Sequence, residues 1–148
     1  MAINRVALLR LADKLEGKGP YRKAGPIPPA RFNMSLWVQF PDHKYNEKLG
    51  KHVAKTNLTC GTAACAAGWA GSDPWFRKRG FYTLGYNEVY YKGEYSFQAV
   101  QKLFKLSNLE VYGIFANPGT PREVARRIRD FVVRSNARRE LEEASDDE

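Results

Sequence analysis

The stretch Thr59-Cys60-Gly61-Thr62-Ala63-Ala64-Cys65-Ala66-Ala67-Gly68-Trp69-Ala70 constrains this chain more than any other. Its five alanines between positions 63 and 70 favour a helix. Thr59 is placed to cap it, because a threonine hydroxyl accepts from a free backbone N–H of the first turn. Gly71, Ser72 and Asp73-Pro74 supply a stop. Apart from Thr62, no side of the segment is polar, and a helix apolar all round must be enclosed by other elements. Gly61, Ala64 or Cys65, and Gly68 recur three or four residues apart, which lets neighbouring backbones come close. Trp69 is the one bulky group and is expected to anchor the segment in the core.

What surrounds this strut is mostly helical. Leu8, Leu11, Ala12 and Leu15 form a stripe that predicts a helix from Asn4 to about Leu15, with Arg5, Arg10, Asp13 and Lys14 outside it. Residues 16–31 hold Pro20, Pro26, Pro28 and Pro29 and read as a basic connection, either a spacer or a partner-contacting arm. Asn33 is placed to cap a short helix burying Met34, Trp37 and Val38. Residues 42–58 are polar and mixed and read as an exposed loop. Phe81–Leu84 and Glu88–Tyr91 flank a glycine-containing turn and read as a β-hairpin. Three helices follow. Ser96 is expected to cap the first. Ser107-Asn108-Leu109-Glu110 and Thr120-Pro121-Arg122-Glu123 are capping boxes that open the second and third. The expectation is a mainly α (α+β) fold, a compact helical domain around a small-residue central helix with one β-hairpin. It forms a single globular domain over 1–139, with 140–148 as an acidic flexible tail.

The two cysteines, Cys60 and Cys65, would diverge by roughly 140° and rise about 7.5 Å on one helix, which does not suit a disulfide. Free thiols in a reducing, cytoplasmic setting are expected. Cys60 near a helix N-terminus is a candidate nucleophile with His52, or His43, as base. The competing reading is a small buried residue chosen for its volume. Cys65 reads as packing. No metal-ligand spacing, phosphate loop or carboxylate pair stands out, so neither metal nor cofactor is called for. No apolar run approaches the length of a membrane span, and the N-terminus lacks a signal-peptide pattern.

Charge is distributed unevenly. Six of the 16 acidic residues fall within 140–148, leaving 24 basic and 10 acidic side chains before them, a balance of +14. A body this basic attracts polyanions or an acidic protein surface. Arg77, Lys78 and Arg79 beside Trp75 and Phe76 suit stacking and phosphate contact on single strands, and suit a core aromatic pair equally. Arg122, Arg126, Arg127, Arg129 and Arg134 form the second candidate binding group, along the last helix.

Phe32-Asn33-Met34-Ser35-x-Trp37 and Cys60-Gly61-Thr62-x-Ala64-Cys65-x-Ala67-Gly68-Trp69-Ala70 resemble a group of small phage and bacterial proteins. They share a Cys-Gly-Thr-x-Ala-Cys-x-Ala-Gly core, a later Leu-Phe helix pair and a Thr-Pro-initiated last helix. Leu103-Phe104, Ile114-Phe115 and Thr120-Pro121 match here. The resemblance implies a phage or bacterial cytosolic origin and little chemistry. The basic proline-rich insert, the 42–58 segment and the acidic end depart from it. The functional expectation is a non-enzymatic accessory protein binding an anionic partner, nucleic acid, nucleotide or acidic protein, in the host cytoplasm. A cysteine-dependent enzyme using Cys60 and a virion or assembly component are the alternatives.

Overall fold

The computed structural model describes residues 3–32, 34, 43–49, 51–54, 65–84 and 88–146, with the backbone alone at 43–46, 52–54 and 142–146. Helix α1 spans Arg5–Glu16, α2 Ala66–Gly71, α3 Pro74–Lys78, α4 Ser96–Phe104, α5 Asn108–Phe115 and α6 Pro121–Asp146. Strands β1 (His43–Asn46), β2 (Lys51–Ala54), β3 (Phe81–Leu84), β4 (Glu88–Tyr91) and β5 (Glu94–Tyr95) form one antiparallel meander in the order β1-β2-β3-β4-β5. The fold is mainly α with a small antiparallel sheet, as the sequence pattern predicts.

Every residue of α2 is buried. The strut is nevertheless shorter than its alanine content predicts, beginning after Cys65, whose Sγ accepts from the Gly68 N–H at 3.4 Å. The expected cap, Thr59, lies outside the described residues, as do Cys60 and the Asn33 cap. On its other side α2 lies against β3. A Cβ on Gly71 would stand 2.2 Å from Thr83 Oγ1 and 2.5 Å from the Thr83 backbone nitrogen, so only glycine permits this approach. Thr83 Oγ1 donates to the Gly68 carbonyl at 2.7 Å and locks the contact. Phe76, Phe81, Phe104 and Phe115 then meet in sequence, tilted, edge to face and stacked, with centroids 6.2, 6.3 and 5.4 Å apart, and close the core between α3, the sheet, α4 and α5.

The local signals place the helix ends well. The Asn4 side chain accepts from Ala7, Ser107 and Glu110 form a complete capping box, and Thr120 and Glu123 exchange the same two bonds. Elsewhere tertiary contacts redirect the chain. Within 42–58, expected as an exposed loop, residues 43–46 and 51–54 pair as antiparallel strands, because β3 offers an edge and pairing satisfies backbone groups that the polar side chains do not signal. The hairpin expected over 81–91 is present as β3 and β4, with Phe81 opposite Tyr91 and Leu84 opposite Glu88, and is the centre of the larger meander. Ser96 is not a cap. It is the first residue of α4, at φ 55°, and Tyr95 precedes it at the cap position. The acidic segment expected as a flexible tail from residue 140 is helical through Asp146, as a continuation of α6.

Gly17, at φ 67°, ends α1 and turns the chain back on itself, and a Cβ there would meet the Gly25 carbonyl carbon at 2.2 Å. The proline-rich connection is thereby pressed against the helix it leaves, and the Ile27 N–H donates to the Leu15 carbonyl. Two 3-10 turns, Gly19–Tyr21 and Pro29–Arg31, give it a fixed course.

A cleft of alternating cations and rings

The folded-back connection forms one wall of a cleft of about 660 Å³, with α1 as its second wall and α2 and the start of α3 as its floor. Arg10, Lys14, Tyr21, Lys23, Arg31, Trp69, Asp73 and Trp75 supply its chemistry, and Pro20, Pro26, Ile27 and Pro28 its apolar lining.

Side chains in the cleft, with Arg79 beside it, alternate cation and ring over seven positions. The Arg79 guanidinium lies 3.5 Å from the centroid of Trp75, and Arg10 lies 5.2 Å from the same ring. Arg10 is also 5.2 Å from the ring of Tyr21, which on its other side has the Lys14 ammonium at 5.1 Å. Lys14 is in turn 5.9 Å from Trp69, and Arg31 is 5.1 Å from that ring. Trp69 Nε1 donates to the Arg31 carbonyl at 3.0 Å, so the indole holds the connection in place. Ring faces attract cations through their quadrupole without cancelling their charge. A cation ordered by a carboxylate is neutralised, whereas one ordered by a ring keeps its field for a ligand.

One carboxylate sits among them. Asp73, 3% exposed, accepts from Lys14 Nζ at 3.1 Å and from the Tyr21 hydroxyl at 2.9 Å, and its Oδ2 caps α3 by accepting from the Trp75 N–H. Arg10 Nε donates to the Tyr21 hydroxyl at 2.9 Å. Burial pushes the Tyr21 phenol up to about 12 against the hydrogen bond from Arg10, and Asp73 adds to the rise. A phenol that reluctant to ionise is a fixed hydrogen-bond relay and a poor base. Lys14 balances Asp73, and Arg10 and Lys23 bring further positive charge to the cleft.

The expected site residues divide by what holds them. Arg79 belongs to the ladder. Arg77 lies at its edge, donating to the Gly71 carbonyl at 2.9 Å with its guanidinium 5.8 Å from the Tyr82 ring, and burial lowers its pKa. Arg127 donates to the carbonyls of Ile114, Asn117 and Pro118 and so closes the end of α5. Arg129 joins α6 to α1 through Asp13 at 2.7 Å and Glu16 at 2.9 Å. Lys78, Arg122, Arg126 and Arg134 are exposed. The fold therefore gives Arg127 and Arg129 structural partners, and it does not gather the α6 arginines with Arg79. Cys60 lies outside the described residues, and His52 is placed only by its backbone, in β2. Cys65 is fully buried at the α2 cap, and burial pushes its thiol up to about 11. Among the described residues, no group of three or more His, Cys, Asp or Glu comes together as a metal site, and no helix is long and apolar enough to cross a membrane.

Sequence reasoning missed Arg10, Lys14, Tyr21, Arg31 and Asp73 as site residues. Lys14, placed outside the apolar stripe of α1, is 8% exposed. The available signal was weak: two cations on one helix, six and two residues before a proline-rich basic segment, with tryptophans and an Asp-Pro much later in the chain. No protein-family model matches this chain, and comparison with curated proteins and with solved structures finds no similar protein.

Proposed function

We propose that this protein is a non-enzymatic binding protein for an anionic ligand bearing a flat ring, a nucleotide or a nucleotide unit of a longer strand, and that the cation–ring cleft receives it. The supporting observation is the run Arg79–Trp75–Arg10–Tyr21–Lys14–Trp69–Arg31, in which three rings alternate with four cations and Lys14 is paired to the buried Asp73. Phosphate is met by guanidinium and ammonium groups. A base is met by indole edges and by guanidinium planes, which stack on aromatic faces. The ordering entropy of long side chains, normally charged to binding, is already spent in the free protein. The +14 balance of residues 1–139 adds long-range attraction.

The test is tryptophan fluorescence of the full chain titrated with ATP, with inorganic tripolyphosphate as the ring-free control, across a range of salt. ATP is expected to bind more tightly than tripolyphosphate, to weaken as salt rises, and to lose affinity in Arg10→Ala and Trp75→Leu. Equal affinity for the two anions removes the ring from the proposal. Salt-independent binding, or none, removes the cleft.

A further inference from the structure

Helix α6 buries Val124, Ala125, Ile128 and Val132 against the rest of the chain. A helix turns about 100° per residue, so Val133, Ala137 and Leu141 form a stripe whose middle lies roughly 160° from that of Ile128 and Val132. All three are exposed, Val133 by 65% and Leu141 by 70%. The stripe therefore faces away from the body.

The charge along α6 falls in two blocks. Arg127 and Arg129 are held by the body. Arg122, Arg126, Arg134 and Arg138 are exposed, with the acids Glu123 and Asp130 among them, and Glu123 is engaged with Thr120. From 140 onward the helix has Glu140, Glu142, Glu143 and Asp146 and no base. This order opposes the helix's own dipole, which favours acids at the N-terminal end and bases at the C-terminal end. By position, Arg138 and Arg139 have acids four residues on in the same helix. Arg126, Asp130, Arg134 and Glu140 are all exposed, and among the described residues their side chains have no hydrogen bond or ion pair. Asp130 stands one turn from both Arg126 and Arg134 and pairs with neither.

We propose that the outward face of α6 is an interface with a second copy of this chain, formed as an antiparallel helix pair on a two-fold axis at Val133. With the axis there, Arg126 is level with Glu140 of the second copy, and Asp130 falls within two residues of the level of Arg134 of the second copy. A two-fold across an antiparallel pair keeps each flank on its own side, and every contact occurs twice. Arg126 and Glu140 lie on one flank of the stripe, and Asp130 and Arg134 on the other. Opposite charges thus meet along both flanks, while Val133 meets its own copy at the centre. The basic part of each helix runs beside the acidic end of the other, which offsets the mismatch with the dipole. The two bodies lie on the outer sides of the pair. The interface takes no residue from the cleft.

The experiment is sedimentation equilibrium of the full chain over a range of concentration and salt, with ATP titration and thermal melting in parallel. A monomer–dimer equilibrium that weakens as salt rises is expected, because the pairs are near the surface. Arg126→Glu and Glu140→Arg should each raise the dissociation constant of the dimer by at least about ten-fold, since each places like charges together twice. The double variant Arg126→Glu/Glu140→Arg should return it to within about three-fold of the parent. Both single changes suit the dipole of the isolated helix, so they lower dimerisation without weakening α6 itself. ATP affinity should be unchanged in all three, and its absence in the parent would sink the cleft and spare the interface. A chain that sediments as a monomer at every salt and concentration overturns the interface. So does a dimer that tolerates either single reversal, or one that the double reversal does not restore.

Discussion

Replacing Asp73 by serine separates the two roles of the cleft floor. Serine keeps an oxygen that can cap α3, so the loss falls on the buried ion pair with Lys14 and on the bond from Tyr21. The side chains of Lys14 and Asp73 are 9% and 4% exposed. Removing one partner of such a pair leaves an uncompensated buried charge, a cost of about 3–5 kcal/mol. In a domain of this length that lowers the melting temperature by roughly 6–20 °C. The double variant Lys14→Met/Asp73→Ser carries no stranded charge and should recover most of the loss, to within about 1–2 kcal/mol of the parent. Binding should move the opposite way to stability. In Asp73→Ser the Lys14 ammonium loses its carboxylate, the cleft gains a net positive charge, and ATP should bind more tightly with a steeper salt dependence. Chemical denaturation and ATP titration of the parent, both single variants and the double variant provide the measurements. If the two single losses simply add in the double variant, the pair is not coupled and the account of the cleft floor is wrong. If Asp73→Ser is destabilised but binds ATP no more tightly, the carboxylate does not restrain the cleft's charge.

Three further outcomes are expected. Burial alone would raise the Glu16 carboxyl, but hydrogen bonds from Arg129 and Lys18 outweigh it and hold its pKa below the usual 4.5. Its contribution to stability is therefore present above about pH 4.5 and is lost as pH falls through the depressed folded value; urea denaturation from pH 6 to 3 should show a drop that Glu16→Gln makes shallower. Gly71→Ala forces a methyl group into the Thr83 backbone, and since the clash is with main chain the cost should reach or exceed the roughly 1–3 kcal/mol of ordinary overpacking; a loss below about 0.5 kcal/mol would show that α2 and β3 are not held this close. Cys65, buried and pushed up to about 11, should resist iodoacetamide in the native protein at neutral pH and react only under denaturant, as read by mass spectrometry of the tryptic peptide.

The parts of the fold legible in the sequence are those specified by neighbours along the chain. The capping boxes at Ser107 and Thr120, the α1 stripe and the wholly buried alanine-rich strut depend on spacings of three or four residues. The pairing of 43–46 with 51–54 depends on an edge offered by β3, and no alternation in their own polar residues announces it. The cleft was the least legible. Trp75 and Arg79 stood out as an aromatic beside cations, but Lys14 meets Asp73 across 59 positions and Tyr21 meets it across 52. Helical periodicity assigns Lys14 to the solvent side, and only the return of residues 17–31 over α1 encloses it. The α6 arginines looked uniform in sequence, yet two of them have structural partners fixed by α1 and by the end of α5.

Asn4 and Arg129 tie distant parts of the chain together. Asn4 caps α1 while its backbone N–H and side-chain amide donate to the Phe104 and Leu103 carbonyls at the end of α4, and Arg129 grips Asp13 from 116 positions away. During synthesis α1 leaves the ribosome long before α6, the helix it packs against most. Its apolar stripe stays uncovered until α6 has emerged, so it is a segment that needs shielding in the nascent chain.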